Sequence, residues 1–209
     1  MSASTAKRTK PIKRIKRIRQ CILAACVALT TAASCHASSP EDKPAEATLD
    51  AASAQIENAF SPDAKAEELV LKVINTSSSS IRLAAYSFSS PSIVKALLDA
   101  KKRGVNVMVL VDYVRNQKKN NWAALNRLVA AGIATRTISV YAIHHDKYII
   151  ADEQSVQNGS FNYTRDAAEA NSENVIVFWR NPELAKSFLR HWESRWSAGV
   201  DYKTMLITK

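Results

Sequence analysis

Cysteine is scarce in this chain and confined to one end. Only three occur in 209 residues, Cys21, Cys26 and Cys35. If the segment that holds them is removed on export, the remainder has no cysteine, which excludes disulfides, thiol catalysis and thiolate metal sites. Acid is missing from the same end. Residues 1–37 carry eight basic side chains, from Lys7 to Arg19, and no aspartate or glutamate. Long apolar runs are lacking as well. The most hydrophobic stretch, "CILAACVALTTAA" from Cys21, is shorter than the about 20 residues a spanning helix needs. A basic head, a short apolar run and then small residues read as a secretory signal peptide over 1–37, cut after Ala37, and predict a periplasmic or secreted protein. A retained signal-anchor and acylation at Cys35 are the alternatives. The second is weakened by "TAAS" before the cysteine, which lacks the usual leucine.

The net charge of +10 would suggest a polyanion-binding surface, but its distribution removes that inference. Taking the eight N-terminal cations from 29 leaves 21 basic against 19 acidic residues, an excess of two. Residues 38–52, with Pro40 and Pro44 and no apolar periodicity, read as a flexible linker. Residues 53–209 then make one domain, long enough to bury its own core.

No internal repeat is visible. Compact β-branched runs instead alternate with helical patterns. "SSSIRLAAYSF", "VNVMVLVDY", "TISVYAI", "KYIIAD" and "NVIVFW" suit buried strands. Between the first two, Ser90 is placed to cap a helix, Pro91 to open it, and Lys101, Lys102 and Arg103 to close it before Gly104. "NNWAALNRLVAAG" and "NPELAKSFLRHWESRWSAG" predict two more helices. The expected fold is α/β, a mixed and largely parallel sheet flanked by helices.

Histidine is rare too, yet two of the four, His144 and His145, are adjacent. In an extended chain His145 and Lys147 share one face, and His144 and Asp146 the other. Asp152 starts out facing away from His145. After a turn, Gly159 opens a segment in which Ser160 and Asn162 again share a face. Alone, a histidine beside a lysine is ordinarily a solvated strand face. The full string H-x-K-x4-D-x6-G-S-x-N, met as His145, Lys147, Asp152, Gly159, Ser160 and Asn162, resembles the signature of the phospholipase D superfamily. Glu173 follows where that family keeps an acid. The resemblance is closer to the small bacterial Nuc-type endonucleases and extends back through "AYSFSSPSIVKALLDAKKRGVNVMVLVD".

The resemblance implies a phosphodiesterase that forms a phosphohistidine on His145. Such a displacement asks for a nucleophile, an acid for the leaving oxygen, and donors around the non-bridging oxygens. Lys147 and Asn162 would hold those oxygens, helped by Ser160. Glu173 would hydrogen-bond the histidine ring, and Asp152 would brace the motif. No metal or other cofactor is called for. Because attack and departure lie on opposite sides of phosphorus, one histidine cannot serve both, and the chain has one copy of the motif. A homodimer contributing His145 from each subunit answers the shortfall. His144 is then incidental, and His191, within an aromatic helix, reads as a core or surface residue.

Arg115, Lys118 and Lys119 follow a strand end, where ligand sites tend to lie, and are candidates for contact with a polyanionic backbone. Trp179, Trp192 and Trp196 fit the core or a dimer contact better than base stacking. The expected substrate is DNA, with RNA a second candidate. A membrane phosphodiesterase acting on a lipid headgroup is the alternative, and a silent nucleic-acid-binding module the third reading.

Overall fold

The computed structural model describes residues 55–62 and 65–204, all within one compact unit. The expected signal peptide and linker lie outside the described residues. The elements run β1 (Gln55–Ser61), α1 (Lys65–Thr76), β2 (Ser80–Ala85), α2 (Pro91–Lys102), β3 (Asn106–Asp112), α3 (Lys119–Ala130), β4 (Ala134–Ile138), β5 (Lys147–Ala151), β6 (Ser155–Gly159), α4 (Arg165–Glu169), β7 (Glu173–Trp179), α5 (Pro182–Ala198) and β8 (Val200–Asp201).

All eight strands form one sheet in the order β1-β7-β6-β5-β2-β3-β4-β8. The mixed sheet flanked by helices is as expected, with one difference in balance. Parallel pairing is confined to β2–β3 and β3–β4; the other five pairings are antiparallel. Helices α2 and α3 make the crossovers that parallel neighbours require. The run after Lys147 instead turns back at once in a tight hairpin, with Asp152 and Glu153 at φ 55° and 56°. That hairpin makes "SVQNG" a strand where the sequence suggested a turn. "TISVYAI" fails in the opposite sense. Its strand ends at Ile138, and Val140, Tyr141 and Ile143 are exposed, so the apolar run is not buried. Nothing in the sequence reading placed β1 or α1.

Side-chain alternation divides the core. Leu83, Ala85, Ile149 and Ala151 face the larger cluster, which α1, α2 and α3 cover. Their neighbours Ala84, Tyr148 and Ile150 face a smaller one under α5, with Ala185 and Trp192. Trp192 is 2% exposed, donates its indole N–H to Leu83 O at 3.2 Å and stacks on Trp196 at 4.8 Å between centroids, which gives these tryptophans to the core. The helix ends follow the sequence signals closely. Ser90 accepts from Ile93 N at the start of α2, and Asn181 accepts from Leu184 N at the start of α5.

Candidate active site

Strand register gathers the candidate residues at one end of the sheet. Ala85, the last residue of β2, pairs with Lys147, the first of β5. Gly159, ending β6, pairs with Val175 near the start of β7, and Ser61 with Glu173. The parallel strands β2 and β3 also finish at this end, so Tyr86 and Arg115 emerge there. Carboxyl ends of parallel strands are where α/β sheets leave an open crevice.

His145 is exposed at this end and Lys147 is 7% exposed. Lys147 Nζ lies 3.2 Å from His145 Nδ1, 3.4 Å from Nε2 and donates to His145 O at 2.8 Å. Nearly equal distances to both ring nitrogens put the ammonium against the face of the imidazole, so the in-plane lone pair of the unprotonated nitrogen is not consumed along its own axis. Tyr86 packs against both members of this pair. Its ring centroid is 4.5 Å from that of His145, with Lys147 Nζ and the Arg115 guanidinium each 5.5 Å from it. The sequence reading missed Tyr86; an aromatic just past a buried strand was its only signal. Burial pulls the Lys147 ammonium below its ordinary value, and the carboxylates of Glu173 and Asp146 oppose that pull.

Glu173 does not bond His145 in this chain. Its carboxylate accepts from Ser160 Oγ at 2.6 Å and from Asn171 Nδ2 at 3.0 Å. The expected acid–histidine bond is therefore replaced by an electrostatic relation to Lys147. The reason is local: Ser160 N donates to Asn174 O at 3.1 Å, and Asn174 N donates to Ser160 Oγ at 3.1 Å, which draws Ser160 to the head of β7. Gly159 permits this approach, since a Cβ there would collide with the Asn174 carbonyl oxygen. Asn162 is carried nearby by Tyr163, which is tied to the segment after β2 through Tyr163 N to Ser87 O at 3.1 Å. The Asn162 side-chain oxygen is buried without a partner.

Asp152 is not brought to this group. It follows Ala151, which pairs with Ile81 at the far end of β5. There it accepts from the backbone N–H groups of Ser78, Ser79 and Ser80 and from the hydroxyls of Ser78 and Ser79, at 2.8–3.1 Å. Burial works to raise its carboxyl, but these bonds prevail and hold it at about 2. The brace expected of Asp152 is thus built as a charged cap on the entry to β2.

The segment before Lys147 is held by a buried acid that the sequence reading did not single out. Asp112, 3% exposed, accepts from His144 N at 2.8 Å and from Arg115 N at 2.6 Å. Asn116 donates to Tyr86 O and to Asp112 O and accepts from Phe88 N, which clamps the segments after β2 and β3 together. His144 is not incidental to packing. It is 3% exposed, with Nδ1 3.5 Å from Asp146 Oδ2, and burial lowers the pKa of its ring. His191 meets the same Asp146 oxygen through Nε2 at 2.9 Å, so α5 is tied to the segment that carries His145.

Two cavities open at this end. One of about 370 Å³ is lined by His145, Lys147, Asn158, Gly159 and His191. The other, about 640 Å³, includes Asn162, Arg115 and Lys118 in its wall. Lys119, grouped with them from the sequence, opens α3 and does not line that cavity.

Comparison with known proteins agrees with this geometry. The model of the family described as "Cardiolipin synthase, PLD-like domain" matches residues 70–196. The crystal structure of Nuc from Salmonella typhimurium, a phospholipase D family member, is 46% identical, with a TM-score of 0.72 over 72% of this chain and 99% of that one. A phospholipase D of Rickettsia bellii is 38% identical over 141 residues, 68% of this chain and 69% of that protein. A mitochondrial cardiolipin hydrolase of Danio rerio is 32% identical over 130 residues, 62% of this chain and 56% of its own length. A family model matched over more than half the chain, and relatives this similar, leave one assignment: the chain belongs to the phospholipase D superfamily of phosphodiesterases.

Proposed function

We propose that this phosphodiesterase is an exported endonuclease that hydrolyses DNA, and RNA by the same chemistry, without a metal, in a site shared by two copies of the chain. The observation that carries the reading is the pair at the head of β5: an exposed imidazole with a buried ammonium against its ring, opening beside a polar, cation-lined cavity.

In this mechanism a ring nitrogen of His145 attacks phosphorus. A P–N bond forms as the P–O bond to the leaving strand breaks, and the departing oxygen takes a proton from the second subunit's copy of the same histidine. Water then attacks the phosphohistidine, gives its proton to that second imidazole, and the P–N bond breaks. Lys147 and Asn162 hold the non-bridging oxygens, where negative charge develops. Of the Asn162 amide only Nδ2 can donate to a phosphate oxygen; the buried Oδ1 is an acceptor and takes no part in that contact. Glu173, fixed by Ser160 and Asn171, offsets part of the pull of burial on the Lys147 ammonium. Support for a shared site comes from exposed apolar side chains at the same end of the sheet. Tyr113 and Val114 follow β3, while Val140, Tyr141 and Ile143 precede His145. Among the described residues no helix is long and apolar enough to cross a membrane.

The names of the relatives favour a second reading, a lipid phosphodiesterase. Purified protein incubated in EDTA with supercoiled plasmid and, separately, with cardiolipin vesicles distinguishes the two. Nicked plasmid with intact vesicles is the expected result. Headgroup release with intact plasmid would establish the lipid reading, and a strict need for added Mg²⁺ or Zn²⁺ would defeat the mechanism.

A further inference from the structure

The larger cavity, walled by Asn162 and Arg115 rather than by the head of β5, runs along α3, and its wall has a consistent sign. Arg115, Lys118, Arg127 and Arg165 line it, against one carboxylate, Asp166. Arg165 is 3.7 Å from Glu169, an exposed pair that water screens. Arg115, Lys118 and Arg127 have no carboxylate within ion-pair distance among the described residues. Between Lys118 and Arg127 the wall of α3 is made by two amides, Asn120 and Asn121, and two small side chains, Ala123 and Ala124. Arg127 also borders an adjoining depression of about 390 Å³, whose other cations are Lys101 and Lys102. Lys102 is engaged by Asp99 at 3.2 Å, which leaves Lys101 beside Arg127 without a carboxylate partner among the described residues.

The spacing of these charges decides what they fit. Nine residues of helix separate Lys118 from Arg127, about 14 Å at 1.5 Å per residue. A single phosphate at His145 can use only the near end of such a row. A chain of phosphates uses all of it, and release of condensed counterions from that chain rewards every contact. Asn120 and Asn121 offer hydrogen bonds to a polymer backbone, Ala123 and Ala124 leave it room to approach, and the four together offer acyl chains little apolar area. We infer that the groove along α3 is a track for the nucleic-acid backbone beyond the scissile phosphate, running from Arg115 through Arg127 to Lys101. The inference rests on the nucleic-acid reading of the active site and names the part of the chain that reads the polymer.

The test is the salt dependence of binding. The full chain carrying His145→Ala, which removes turnover, is titrated in EDTA against a fluorescein-labelled single-stranded oligodeoxynucleotide at several salt concentrations. The same protein is compared with Lys101→Gln/Arg127→Gln added and, as a charge-matched control, with Lys186→Gln/Arg190→Gln added on α5, which covers the opposite face of the sheet. Each phosphate contact contributes about 0.7 to the log–log slope for a single strand, so the track variant should lose about 1.4 of slope and the control nothing. An unchanged slope in the track variant, or an equal loss in the control, would overturn the track and leave the active-site reading standing. Failure of the parent protein to bind any oligonucleotide at low salt would overturn both together. All four positions are exposed, and coincident thermal melts would confirm intact folds.

Discussion

The two ends of β5 carry two halves of one sequence motif and have been built in opposite ways. At the amino end, Lys147 is buried, its cation opposed by desolvation, and its nearest polar neighbours are the ring and carbonyl of an exposed histidine. At the carboxyl end, Asp152 is satisfied by three backbone amides and two serine hydroxyls. In the proposed mechanism Lys147 keeps capacity in reserve for a ligand, whereas Asp152 is committed to the fold. Spacing in the sequence treats both residues alike, whereas five residues of strand place them at opposite ends of the sheet. The lesson is that a motif can mix chemistry with architecture, and hydrogen-bond saturation separates the two.

The largest expected effect strikes the amino end. His145→Ala should reduce phosphodiester hydrolysis by a factor on the order of 10⁴ while leaving the thermal midpoint in place, because an exposed side chain contributes little packing. In mixtures of wild-type and His145→Ala chains allowed to exchange, specific activity should fall with the square of the wild-type fraction. A linear fall, with a monomer in sedimentation at assay concentration, would remove the shared site.

Asp152→Ala should show the converse and smaller effect. Lost charge-assisted bonds to Ser78–Ser80 should lower stability by about 2 kcal/mol, seen as a drop of about 4–8 °C in the melting midpoint. Its folded carboxyl sits at about 2 against an ordinary value near 4, so its contribution is fully present above about pH 4 and is lost as pH falls through about 2. The stability gap between wild type and variant should therefore narrow across that window. A gap that stayed constant down to pH 2, or turnover abolished in a protein as stable as wild type, would contradict the division between the ends.

Much of this was legible beforehand, and the boundary has a physical cause. Helix starts at Ser90 and Asn181 are local events, set by a side chain reaching an amide three residues on, and the sequence exposed them. The shared face of His145 and Lys147 follows from alternation alone. Tyr86, Asp112 and Asn116 were not found, because each acts on a segment about 30–60 residues away and only strand pairing brings those segments together. Glu173, singled out by its distance from the motif, bonds Ser160 rather than the His145 ring in this structure, because Ser160 is positioned by a glycine-dependent contact between β6 and β7. The same limit hid the bond of His191 to Asp146, which joins the last helix to the segment before β5.

The central claim is that His145 becomes bonded to phosphorus. Rapid quenching of the wild-type protein in alkali during turnover of DNA in EDTA, followed by proteolysis and mass spectrometry, tests it directly. A phosphoryl-linked adduct is expected on the peptide containing His145, absent from the His145→Ala chain and reached without metal. An active protein whose His145 peptide stays unmodified under quenching that preserves phosphohistidine standards, or an adduct on another residue, would contradict it.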